Sequence, residues 1–226
     1  MLRGVSMDKQ ARAIRIIEIL RKATKGMEHP ASLKIVKGYG KDPYLVLMSC
    51  LLSLRTKDTV SFPASQRLFE HAKNPIEMLK LPLATIEKLI YPTGFYRRKA
   101  RLLHEVSADL LYRFNGKVPH TFEELTSING VGNKTANLVL GVAFDIPAIC
   151  VDTHVHRISN RLGLVKTASA DETELALKKL LPSRYWIEFN HLLVLWGQNI
   201  CVPISPFCSK CAIADLCPRV GVTRHR

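Results

Sequence analysis

Residues 127–144 read SINGVGNKTANLVLGVAF, and this stretch settles the class of fold. One helix is predicted to end at Ile128, Asn-Gly-Val-Gly makes a tight turn, and an apolar helix begins near Asn133. Gly130 and Gly132, two apart, permit positive φ and the close approach of a backbone or a ligand. Such a turn presents backbone N–H groups with a helix N-terminus behind them, which is an anion site suited to phosphate. An ordinary turn between two helices reads the same way. Lys134 weighs against that plainer reading, because the first turn of a helix disfavours a cation through the helix dipole. A lysine there is either a phosphate contact or an amine activated for nucleophilic attack.

Outward from this turn the apolar period stays helical. In residues 8–22 Ala13, Ile16, Ile17 and Leu20 fall at i, i+3, i+4 and i+7 with charges opposite. PYLVLMSCLLSL from Pro43 is apolar nearly all round and predicts a buried helix. Thr121 and Glu124 form a T-x-x-E capping box at a helix start. Further helical pieces follow, punctuated by Pro or Gly, and only PAICV before Asp152 looks strand-like. The expectation is an all-α chain of about ten short helices, without internal repeats.

The chain has 226 residues, with 33 Lys+Arg against 19 Asp+Glu and a net charge of +14. A hydrophobic content of 47% excludes disordered and collagen-like classes. No apolar run reaches the roughly 18 residues a membrane span needs, and no secretory signal is recognisable. A folded, basic, non-membrane chain points to a polyanionic partner, most simply nucleic acid.

Two further segments carry chemistry. Asp152 stands just before the helical pattern of Val155, Ile158 and Leu162, where pattern alone reads it as an N-cap. His154 and His156, without carboxylate or cysteine at ligand spacing, read as structural. Four of the six cysteines lie at Cys201, Cys208, Cys211 and Cys217, spaced C-x6-C-x2-C-x5-C. Four thiols within 17 residues indicate a metal centre, and the uneven spacing suits an iron–sulfur cube better than paired zinc ligands. Cys50 and Cys150, single in apolar runs, read as small buried hydrophobes.

Taken together and in this order, GVGNKTA, VDTH and the cysteine spacing resemble the endonuclease III family of DNA glycosylases, in the helix-hairpin-helix superfamily, from about Pro43 to Cys217. The resemblance implies two all-α lobes with a DNA-binding cleft between them. Residues 36–146 would form the six-helix lobe with the hairpin, and 1–35 plus 147–226 the lobe with a C-terminal [4Fe-4S] loop on Cys201, Cys208, Cys211 and Cys217. It implies that Lys134 is the catalytic nucleophile and Asp152 the catalytic carboxylate, a role beyond capping. Gly130, Val131, Gly132 and Asn133 would bind DNA through the hairpin. Arg55 falls where bacterial relatives commonly carry a glutamine that fills the hole left by a flipped base, and Phe95 at the matching wedge position. The loop VPISPF lacks the basic residues relatives use on phosphate, with Lys210 as a substitute.

The activity implied is a bifunctional glycosylase and abasic-site lyase that removes oxidised pyrimidines from double-stranded DNA and cuts 3′ to the abasic site by β-elimination. The protein is expected to act as a monomer inside the cell, away from any membrane. A mismatch glycosylase acting on G/T or G/U is the enzyme alternative. A non-catalytic DNA-binding module is the alternative of another class.

Overall fold

The structure, a computed structural model, describes residues 8–226. Among these residues there are twelve α-helices and three short 3-10 turns, and no strand. The helices are α1 (Lys9–Ala23), α2 (Ala31–Tyr39), α3 (Pro43–Ser53), α4 (Asp58–Phe69), α5 (Pro75–Lys80), α6 (Leu83–Ile90), α7 (Tyr96–Phe114), α8 (Phe122–Thr126), α9 (Asn133–Ala143), α10 (Thr153–Arg161), α11 (Ala170–Leu180) and α12 (Trp186–Asn199). The stretch PAICV is not a strand. Residues 148–151 are buried and irregular, and they deliver the chain to Asp152. No helix among the described residues is long and apolar enough to cross a membrane.

The helices form two compact units, α1 with Pro147–Arg226 in one and His29–Ile146 in the other. The break thus falls at residue 29 rather than at 36. The reason is local: α2 packs on α3 and α4, burying Ala31 and Ile35. The Ala31 N–H also donates to Asp58 Oδ2 at the start of α4, 3.1 Å away.

In the His29–Ile146 unit, α3 is the central rod. Its residues 44–52 are all buried, as an all-round apolar helix requires, and α2, α4, α7 and α9 pack on it. Asp42 caps it by accepting from the Tyr44 and Leu45 N–H groups, with Pro43 at the first position. Thr121 caps α8 through the Glu124 N–H, and Glu124 returns to the Thr121 hydroxyl rather than its backbone. Cys50 is buried, as expected of a small hydrophobe.

In the other unit, Ala13, Ile16, Ile17 and Leu20 of α1 are fully buried and pack with α10 and α12 through Val155, Ile158, Phe189, Leu193 and Trp196. The i, i+3, i+4, i+7 stripe of α1 is therefore the stripe the core uses. α10 and α12 approach closely at Gly197, where a Cβ would lie 2.5 Å from His154 Nδ1 and 2.8 Å from its Cβ. His156 Nδ1 pairs with Thr173 Oγ1 at 2.7 Å, so both histidines have structural places. Gly197→Ala must push His154 and α10 aside, at about 1–3 kcal/mol. Thermal unfolding checks this; a Tm equal to wild type would show that the contact has slack.

Candidate functional site

The hairpin of the His29–Ile146 unit is built by a close packing contact. Gly130 has φ +83°, and a Cβ on it would stand 2.3 Å from Leu102 Cδ1 on α7. Both the left-handed backbone and the missing side chain are needed there. Gly132 differs: its φ is −91°, and nothing lies within 4 Å of where its Cβ would be. It is the N-cap of α9 and supplies no side-chain cap, so this helix end lies open to solvent. Of the two glycines, the first is required by the fold and the second leaves room for something else to approach.

The other hairpin residues divide as well. Val131 is buried, and its N–H donates to Ile128 O at 3.0 Å. Its side chain and its amide are thus committed to the protein, which leaves its carbonyl as the group through which it could meet a ligand. Asn133 and Lys134 are exposed in the first turn of α9. The apolar face behind them, Ala136, Val139, Leu140 and Ala143, is buried, and this anchors the turn that carries the lysine.

Arg55 and Phe95 lie in the same unit, in the turns after α3 and before α7. Both are exposed, Phe95 to 64%, and both have left-handed backbone, with φ 51° and 58°. The structure brings these two turns together: a Cβ on Gly94 would meet Arg55 O at 3.1 Å.

In the other unit, α10 begins at Asp152, whose Oδ1 accepts from the His154 and Val155 N–H groups at 2.8 and 2.9 Å. The capping role read from the pattern is real. Because both bonds end on Oδ1, the cap leaves Oδ2 open to a second task. The half-buried Asp152 retains access to solvent.

The far end of α10 grips the cysteine loop. Arg157 Nη2 donates to Cys201 O at 2.7 Å. One turn on, Arg161 donates to Val202 O at 2.8 Å, Pro203 O at 2.6 Å and Cys201 Sγ at 3.4 Å. Arg161 O in turn accepts from the Val220 N–H at 3.0 Å. Sequence reasoning passed over both arginines. Their i, i+4 spacing on α10, ahead of the first cysteine, was the available signal.

Cys201, Cys208, Cys211 and Cys217 are half-buried and line one cavity with Ile158 and Trp196. No group of three or more His, Cys, Asp or Glu side chains among the described residues is arranged to hold a single metal ion. Four thiols around one cavity are a donor set whose chemistry fits a metal centre. The donors facing the sulfurs fit that chemistry. Burial pushes the Cys211 and Cys217 thiols up, while the backbone of Ile213 and Arg219 pulls them down. The buried Trp196 indole N–H finds no acceptor in hydrogen-bond geometry, yet it sits by Cys211 and lowers that thiol. A ligating thiolate is the acceptor it lacks. Lys210, next to Cys211, is exposed.

Residues 48–183 match the HhH-GPD superfamily of base excision DNA repair proteins. Endonuclease III of Thermotoga maritima is 48% identical over 176 residues, which cover 78% of this chain and 83% of that protein. The chain belongs to the endonuclease III family. It is a base-excision-repair enzyme, a DNA glycosylase with abasic-site lyase activity. Within the endonuclease III family, the chloroplastic endonuclease III homolog 2 of Arabidopsis thaliana is 46% identical over 77% of this chain. The chain spans about half of that plant protein, 48%. The solved structure of a trapped endonuclease III–DNA covalent intermediate, an estranged-adenine complex, superposes with TM-score 0.80 at 34% identity, covering 94% of this chain and 97% of its own.

The two glycines separate fold from ligand approach. Gly130→Ala should destabilise by about 2–4 kcal/mol, from left-handed backbone plus steric overlap. Gly132→Ala should keep the wild-type Tm and lose DNA affinity. Unchanged affinity of a folded Gly132→Ala, measured by titration of duplex DNA, would remove the hairpin from the DNA contact.

Proposed function

We propose that the chain excises oxidised pyrimidines from double-stranded DNA through a covalent intermediate on Lys134. The observation that carries this reading is the exposed lysine in the first turn of α9, behind an uncapped helix end at Gly132. A phosphate at that helix end fixes the DNA backbone beside the amine. The base leaves the stack to be reached. The amine attacks C1′ and the base departs with the electrons of the glycosidic bond. Nitrogen loses a proton, the C1′–O4′ bond of the sugar ring then breaks as O4′ takes up a proton, and a Schiff base at C1′ results. Removal of a C2′ proton then expels the 3′ phosphate by β-elimination. The covalent route divides one hard bond cleavage into two easier steps.

Asp152 is the carboxylate that stabilises positive charge at C1′ and assists the proton transfers. Its cap geometry supports this, since both hydrogen bonds end on Oδ1, orienting the group and leaving Oδ2 uninvolved in the cap. Arg55 and Phe95 would occupy the space of the displaced nucleotide, for which a planar cation and an aromatic ring are suited. Gly130 shapes the turn, Gly132 and Asn133 meet the phosphate, and Lys210 adds a basic contact. The protein would act as a monomer inside the cell, where thiols stay reduced. Cys201, Cys208, Cys211 and Cys217 would hold a [4Fe-4S] cluster, whose contribution is to order the loop that α10 grips. The lysine weighs against a purely monofunctional mismatch glycosylase, which needs no amine.

Borohydride reduces a Schiff base to a stable amine, so wild-type protein should become trapped on abasic DNA. Lys134→Gln should abolish both trapping and strand cleavage. Asp152→Asn retains a capping oxygen but loses the charge; it should fold, bind lesion duplex and slow base release about 10²–10³-fold. Trapping by Lys134→Gln would identify another amine as nucleophile. Melting of Asp152→Asn, with a normal rate in the folded fraction, would leave Asp152 as a cap alone.

The metal is tested separately. Purified protein should be yellow-brown with about four irons per chain. Cys211→Ser should lose the colour and loosen the loop to proteolysis, because metal binding and folding of so small a loop are linked. Colourless wild-type protein with one zinc per chain would overturn the cluster.

A further inference from the structure

Lys99 belongs to none of the motifs above, yet among the described residues it is the charged side chain that the fold buries, at 6% exposure. Burial lowers its pKa to about 8. An ammonium held out of water needs partners, and those of Lys99 are specific. Its Nζ donates to Leu52 O, in the last turn of α3, at 2.6 Å and to Thr56 Oγ1 at 2.7 Å. Thr56 Oγ1 also accepts the Gly94 N–H at 3.1 Å. Ammonium, hydroxyl and amide thereby join the end of α3, the turn after it and the turn before α7.

The residues adjoining this chain of bonds are Arg55, next to Thr56, and Phe95, next to Gly94. Both hold left-handed backbone, which bulky side chains adopt only when the surrounding structure imposes it. The spacing of the two turns is close as well, since a Cβ on Gly94 would be tight against Arg55 O at 3.1 Å and in contact with Thr56 Oγ1 at 3.4 Å. On the outer side Arg67 of α4 holds the same turn, donating from Nε to Leu89 O at 2.9 Å and from Nη2 to Tyr91 O. A guanidinium and an aromatic ring are thus presented together, outward, from two turns that share one buried anchor. Side chains set in place before binding lose less freedom when they insert between bases.

We propose that Lys99 is a positioning residue, which acts through Thr56 to hold the Arg55 and Phe95 turns as one unit for insertion into lesion-containing duplex. The proposal rests on the DNA-repair reading above. It assigns Lys99 no contact with substrate. The plainer role, a lysine that merely satisfies the C-terminal carbonyls of α3, would make it matter for stability alone.

The test compares Thr56→Val, which keeps shape and removes the shared oxygen, with Lys99→Met. A duplex with 2-aminopurine beside a lesion reports unstacking by fluorescence, and base release is measured on the same duplex. Borohydride trapping on single-stranded abasic DNA, which offers no stack to open, reports the Lys134 amine. Both variants should reduce the fluorescence change and base release at least tenfold, with trapping on single strands within twofold of wild type. Thr56→Ser, which restores the oxygen, should recover the duplex reaction. Wild-type duplex behaviour of Thr56→Val would overturn the proposal. So would equal losses on duplex and single strand, which are the mark of a purely structural role. The double variant Arg55→Ala/Phe95→Ala separates the two levels. If it leaves the duplex reaction intact, the insertion reading itself fails; if it impairs that reaction while Thr56→Val does not, only the role of Lys99 fails.

Discussion

Both ends of α10 are tied down, and the arrangement of its unit depends on that. At one end two backbone N–H groups converge on Oδ1 of Asp152. At the other, Arg157 and Arg161 hold the backbone around the first cysteine. A nine-residue helix has little stability of its own, so its position is set by such ties and by the burial of Val155 and Ile158. The carboxylate orientation and the cysteine loop are therefore consequences of one rigid element.

The other unit reaches a comparable result through α3 and α7. α3 is buried on every side, so whatever leaves its C-terminus starts from a rigid point. Lys99 and Thr56 carry that rigidity into two exposed, left-handed turns. The hairpin is held in a different way, by a glycine pressed against Leu102. The exposed side chains of Arg55 and Phe95 thus stand on left-handed backbone that buried contacts hold in place.

Much of this was legible before any coordinates. The helical class, the α1 core stripe, the cap at Asp152 and the turn at Asn-Gly-Val-Gly follow from local periodicity and from residues whose chemistry acts within a few positions. The boundary at 29 was not legible, because α2 has the same apolar pattern whichever unit it joins. Nor could Gly130 and Gly132 be told apart: both are glycines in a turn, and only the passage of Leu102 past one of them gives them different roles. Nor was it legible that the Val131 amide is spent on Ile128, since that bond depends on how the turn closes.

By itself the sequence determined what each segment becomes and which chemical groups it carries, because helix formation, capping and thiol spacing are set by neighbours along the chain. The tertiary structure alone decided the partners. Lys99 meets Leu52 and Thr56 from more than 40 residues away, and Arg161 meets Val202 across a similar separation. No period or motif encodes such pairs. They form because helix packing brings unsatisfied donors and carbonyls within reach, and a buried charge without a partner would not be tolerated.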